Sequence, residues 1–267
     1  MPTTDSRKVL AAVFDDTPVA SAPAAPGMGS WSPVFIIASP RPRTGKTFLA
    51  RLVADFLRKD GGEVEAFDLD PGEGSLADYR PDVTTKAGLG STPAQMALID
   101  RLLVGDGSAR VVDLHQASYK QFFTLVEELG FMEEACRRGL EVIILFAADA
   151  HPGSAQAYGR LLRRFPGAIL VAVFNEAILQ GRKVRDQYPF SRTAAIPLQI
   201  PYLPPALKAH VDTSAYSFAD LHAQIPIAIP IGHAFELRSW TKRAFLELRE
   251  FELRLLLEKL RASLGQL

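Results

Sequence analysis

The chain holds a single cysteine, Cys136, among its 267 residues. No disulfide can close within it, which excludes a fold stapled by bridges and fits a reducing, cytoplasmic setting. An excess of one charge is also missing: 30 Lys and Arg stand against 30 Asp and Glu. A whole-molecule attraction to nucleic acid or anionic membrane is therefore not expected, and only local patches stay open. No apolar run reaches the roughly 18–20 residues that cross a bilayer, so no transmembrane segment is expected. The N-terminus lacks the charged-then-apolar pattern of a secretory signal. Histidine is scarce too, five residues well scattered, which leaves no zinc-type ligand set. What is abundant is apolar bulk, 48% of the chain, enough for the core of one large domain.

Three segments are distinguished. Residues 1–30, with "DDTPVASAPAAPGMGS", are rich in Pro, Ala, Ser and Gly and read as a flexible tail. Residues 31–232 alternate short apolar runs with helical patterns. Strands are expected at 34–39, 63–68, 109–114, 141–148, 168–174 and 194–200, and helices near 45–60, 92–104, 118–138 and 154–165. Several runs are continuously apolar, as strands covered on both faces are. The alternation predicts an α/β fold, a doubly wound and mostly parallel sheet with helices on both faces. Residues 233–267 carry a long helical pattern without Gly or Pro before Gly265. Leu237, Trp240, Ala244, Leu248, Phe251 and Leu255 share one face by their i+3/i+4 spacing, and Glu250 and Arg254 form an i,i+4 pair. This helix packs on the domain or serves a protein partner.

The stretch "VFIIASPRPRTGKTFLARLVADFL", residues 34–57, runs strand, loop, helix. Gly45-Lys46-Thr47 sits where the helix starts, as a phosphate-binding loop ends. Backbone N–H groups at a helix N-terminus, aided by the dipole, suit a polyphosphate. Lys46 would reach the β and γ phosphates, Thr47 would offer a hydroxyl to Mg²⁺, and Gly45 allows close approach. The first glycine of the usual pattern is replaced by Pro40, which lacks an N–H. Arg43, Thr44, Gly45, Lys46 and Thr47 keep theirs, so the cradle is retained.

"EVEAFDLDPGEGSLADYRP" then places Asp68 and Asp70 at the end of the second strand. This order, strand, GKT loop, helix, strand, Asp-x-Asp-Pro, resembles the ParA/MinD family of P-loop ATPases over about residues 33–230. The resemblance implies a P-loop NTPase domain that binds ATP and Mg²⁺ and forms a homodimer over the nucleotides. It places Arg41 where the family has a signature lysine that reaches the partner subunit's phosphates. It sets Asp68 near the Mg²⁺ shell, Asp70 on the attacking water, and Asp113, which ends the strand in "ARVVDLHQAS", as the second Mg²⁺-side carboxylate. The family continues Asp-x-Pro-x-Gly after that aspartate, whereas here Leu114, His115, Gln116 and Ala117 follow. Asn175 in "VAVFNEAI" would contact the adenine, and Pro201 would lie in a loop beside the base.

Three functions follow as expectations. The first is a slowly hydrolysing ATPase acting as a dimer switch that positions a protein, membrane-associated or DNA cargo. The clusters "YGRLLRRF" (158–165) and "GRKVRDQ" (181–187) would supply the DNA face, or are simply solvated. The second is a nucleotide-binding regulatory module with little turnover. The third is an ATP-dependent metabolic enzyme of the same fold, resembling dethiobiotin synthetase. His115 is read as a loop histidine and Ser154 as a helix cap.

Overall fold

The computed structural model describes residues 32–264 apart from 71, 73, 186–188, 191–196, 214–215 and 221–228. The expected tail at 1–30 and the beginning of the strand expected at 194–200 lie outside the described residues. Among the described residues the sheet has seven strands, all parallel: β1 (Pro33–Ala38), β2 (Val64–Asp68), β3 (Thr84–Lys86), β4 (Ala109–Asp113), β5 (Glu141–Ala148), β6 (Ile169–Asn175) and β7 (Leu198–Ile200). Their order is β3-β2-β4-β1-β5-β6-β7. The central strand β1 is buried along its whole length, which is why its sequence is apolar without alternation. Register brings Asp68 opposite Asp113, and Asp113 opposite Ile37. Two carboxylates thus end adjacent strands beside the strand that leads into the β1–α1 loop.

Helices cover both faces. One face carries α1 (Lys46–Arg58), α8 (Pro205–Val211) and α9 (Ile231–Leu264), whose apolar residues form one core layer with β1, β4, β5, β6 and β7. The other carries α3 (Thr92–Leu102), α4 (Tyr119–Glu128), α5 (Phe131–Arg137) and α6 (Pro152–Arg164). The short α2 (Leu76–Tyr79) and α7 (Glu176–Leu179) follow β2 and β6. The helix expected over 118–138 is two helices. Gly130 adopts φ 60, the left-handed conformation that ends a helix, and the chain restarts at Phe131.

The expected C-terminal helix is present and begins at Ile231. Its predicted face, Leu237 through Leu255, is buried against α1 and the sheet. Trp240 Nε1 donates to the carbonyls of Pro201 and Tyr202, at 3.2 and 3.1 Å, just past the carboxyl end of β7. Lys259 pairs with Glu141, the first residue of β5, at 2.8 Å. The helix therefore runs antiparallel to the strands across the whole sheet. Among the described residues no helix is long and apolar enough to cross a membrane.

Candidate functional site

The β1–α1 loop lies at the carboxyl ends of the strands, where open parallel sheets bind ligands. Two of its residues are left-handed, Arg43 at φ 57 and Gly45 at φ 81. A Cβ on Gly45 would meet Asn175 Nδ2 at 3.2 Å, so glycine is needed there both for φ and for space. Lys46 opens α1 and is buried. Its Nζ donates back to the Arg41 carbonyl at 2.9 Å, closing the loop on itself. Burial pulls the ammonium pKa down, while Asp113 and Asp70 pull it up. Arg41 turns the other way: its Nε pairs with Asp149 Oδ2 at 3.0 Å, at the end of β5.

The three aspartates differ in how they are held. Asp68 is buried and accepts two backbone N–H groups, Asp70 N on Oδ1 and Ala77 N on Oδ2, both at 2.9 Å. It thereby stitches the turn after β2 to the start of α2. Asp70 accepts Gly72 N at 2.9 Å through Oδ1. Its Oδ2 lies 3.8 Å from His115 Nε2, and His115 Nδ1 accepts Ala117 N at 3.3 Å. That bond leaves the imidazole proton on Nε2, facing Asp70.

Asp113 is the exception. It is 2% exposed, and neither carboxylate oxygen has a partner in hydrogen-bond geometry. Burial pushes its pKa up to about 7, with the Asp68 and Asp70 charges adding to the rise. The Thr47 hydroxyl and Lys46 ammonium lie close enough to offset part of it, Thr47 more than Lys46. Two buried carboxylate oxygens free of hydrogen bonds form a donor set that fits a hard cation or a water. Among the described residues no group of three or more His, Cys, Asp or Glu is arranged to hold a metal unaided. A cation here would take Thr47 and Asp113 together with oxygens the protein does not supply.

Asn175 caps α7, its Oδ1 accepting Ala177 N at 3.0 Å, and its amide nitrogen approaches Gly45. Pro201 follows β7 and is held to α9 through Trp240. Next to both, a cavity of about 430 Å³ is lined by Glu176, Tyr202, Pro204, Phe235 and Trp240 among others. The structure thus brings Lys46, Asp68, Asp70 and Asp113 together at the carboxyl ends of β2 and β4 and sets Asn175 against Gly45, while Arg41 turns to Asp149 and Pro201 lies beside α9. The sequence pattern did not single out Asp149, Glu176 and Tyr202; Asp149 directly follows β5 much as Asp113 closes β4, and that position was the available signal. The cap of α6 is His151, whose ring accepts Gly153 N at 3.0 Å. Ser154 is not that cap: it is buried and accepts Asp149 N at 3.2 Å. Arg160, Arg163, Arg182, Lys183 and Arg185 are exposed, whereas Arg164 pairs with Glu127. No family model matches the chain, and no curated protein matches it.

Proposed function

We propose that the protein binds ATP with Mg²⁺ at the β1–α1 loop and acts as a slowly hydrolysing P-loop ATPase resembling ParA and MinD, closing into a homodimer over its nucleotides. The observation that carries this reading is Asp113, buried without hydrogen-bond partners beside Thr47 and Lys46. Hard oxygen donors of this kind suit Mg²⁺, which takes one or two protein ligands and completes its shell with phosphate and water. Thr47 and Asp113 would hold the ion, with Asp68 behind them through water. When bound, the ion neutralises charge on the β and γ phosphates.

The remaining steps belong to the chain. Lys46 gives up the Arg41 carbonyl and turns its ammonium to the phosphates. The N–H groups of Arg43 to Thr47 face the same anion at the start of α1. Arg41 leaves Asp149 and reaches across to the second subunit. Asp70, backed by His115, orients the attacking water. Asn175 and the crevice between α7 and α8 receive the base.

The binding-module reading is favoured by one observation. Asp70 Oδ1 accepts a hydrogen bond from its own turn, at Gly72 N, and turnover requires it to leave.

Equilibrium binding of fluorescent ATP, with sedimentation and phosphate release on the same samples, tests the proposal. Wild type should bind Mg·ATP and gain a two-fold association that depends on it. Lys46→Ala should lose roughly ten- to a hundredfold in affinity, the worth of one charged hydrogen bond. Arg41→Ala should keep nucleotide and lose the association that Mg·ATP drives. Mg·ATP-driven association without phosphate release would favour the module. No binding at all would sink both.

A further inference from the structure

The buried face of α9 is only one of its apolar faces. Leu246, Leu253, Leu257, Leu260 and Leu264 are 59, 52, 52, 53 and 69% exposed. Leu246, Leu253 and Leu260 recur every seven residues. Leu257 and Leu264 form a second series, begun by Glu250, four residues behind the first. Spacing that alternates four and three is the seam of a left-handed coiled coil, not that of a helix lying on one flat surface. The seam spans residues 246–264, about 27 Å of helix. We propose that it pairs with the same seam of a second copy of this chain, antiparallel and independent of nucleotide.

Charge selects both the partner and the orientation. In an antiparallel pair Leu246 faces Leu264, Leu253 faces Leu257 and Glu250 faces Leu260 of the second copy, while half-buried Leu256 meets its own counterpart near the two-fold axis. The flanking positions then place Glu247 beside Arg261 of the second copy, twice by symmetry. Among the described residues neither of these two has an ion-pair partner within its own chain. The same register brings Arg254 near Arg254 of the second copy at the two-fold axis, each already paired with Glu250 of its own chain, and Arg249 is paired with Asp60 and Glu252. A parallel pair would instead stack Glu250 on Glu250 inside the seam and set Arg249 beside Arg254 twice, against the single Arg254 contact of the antiparallel pair.

The surface beside Leu246 agrees. A cavity of about 510 Å³ opens there, lined by Lys59, Lys242, Phe245 and Leu246 among others. In the antiparallel pair it receives the last turn of the second copy's α9. The carboxyl end of a helix carries partial negative charge, which Lys242 complements, whereas Lys59 is paired with Asp60 at 2.6 Å.

Sedimentation equilibrium of the full chain without nucleotide tests this, with circular dichroism melts to confirm folding. Wild type should be dimeric. Leu253→Glu with Leu257→Glu should weaken the dimer by roughly a hundredfold or more, since both side chains are exposed in the single chain and central in the pair. Glu247→Arg should weaken it, and adding Arg261→Glu should restore it. In a Cys136→Ser background, Leu256→Cys should oxidise to a linked dimer whereas Leu246→Cys should not; a parallel coil would link Leu246→Cys and leave Leu256→Cys unlinked. Wild type that stays monomeric at high concentration overturns the proposal, as does a dimer that the leucine variants leave unchanged. Monomers that cosediment with anionic vesicles would overturn it too and assign the seam to a membrane surface.

Discussion

Asp113 sets the strongest expectation at the scale of single residues. Its pKa is raised from 3.8 to about 7 in the folded protein. Between those values the folded state holds a proton that the unfolded chain has lost. Its stability contribution is therefore intact at low pH and is lost as pH rises through about 7. Three units set a ceiling on the order of 4 kcal/mol. Asp113→Asn should raise the melting temperature of the nucleotide-free protein near pH 8 and change it little near pH 4, as thermal melts across that range would show. The same carboxylate must ionise to face Mg²⁺, so binding of Mg·ATP should release a proton near neutral pH, measurable by calorimetry in buffers of different ionisation heat. Arg43 gives a second expectation. It is exposed and held at φ 57, a left-handed conformation that costs a side-chain-bearing residue roughly 1–2 kcal/mol. After glycine's extra chain entropy is subtracted, Arg43→Gly should stabilise the fold by up to about 1 kcal/mol in urea denaturation.

At the scale of elements, α1 is tied down by charge as well as by its apolar stripe. Asp55 is fully buried, pairs with Arg80 and accepts Phe218 N at 2.7 Å. One turn earlier, Arg51 donates to the Val211 carbonyl at 2.7 Å and stacks 4.0 Å from the Tyr79 ring. Burial lowers the Arg51 pKa to about 10, which leaves it charged. These contacts join α1 to α2 and to the chain between α8 and α9. Asp55→Ala should cost about 3–5 kcal/mol, because it strands the buried guanidinium of Arg80 and a backbone N–H; the midpoint of chemical denaturation reads it. None of this network is legible in the sequence, since a charged residue on a helix reads as solvent-facing until its distant partners are known. β1, β4, β5 and β6 are legible because strands buried on both faces carry unbroken apolar runs. β3 is not: it is three residues, Thr84–Lys86, at the sheet edge and without a hydrophobic signal.

For the whole molecule, the proposed nucleotide crevice and the leucine seam occupy different surfaces. The crevice is at the carboxyl edge of the sheet, and the seam follows α9 toward the amino edge, where Lys259 meets Glu141. Each would make a two-fold contact. Two such contacts on one protomer build assemblies larger than a dimer, either closed tetramers or open chains. Mg·ATP should therefore drive wild type beyond the dimer, seen as a rise in light scattering. Lys46→Ala should stop at seam dimers, and the Leu253→Glu, Leu257→Glu variant at nucleotide dimers.

The division between sequence and structure follows from the range of the forces involved. Hydrophobic periodicity, the glycine at the foot of α1 and the aspartates closing two strands are local features. By themselves they determined the α/β class, the parallel sheet, the long final helix and the crevice where Lys46, Asp68 and Asp113 meet. The tertiary structure alone decided which charges are buried and which are satisfied. It left Asp113 without a partner while Asp68 gained two, and joined Arg41 to Asp149 across 108 residues. It also covered one apolar face of α9 and left the other exposed. Burial and pairing depend on what the rest of the chain brings alongside, and no local pattern encodes that.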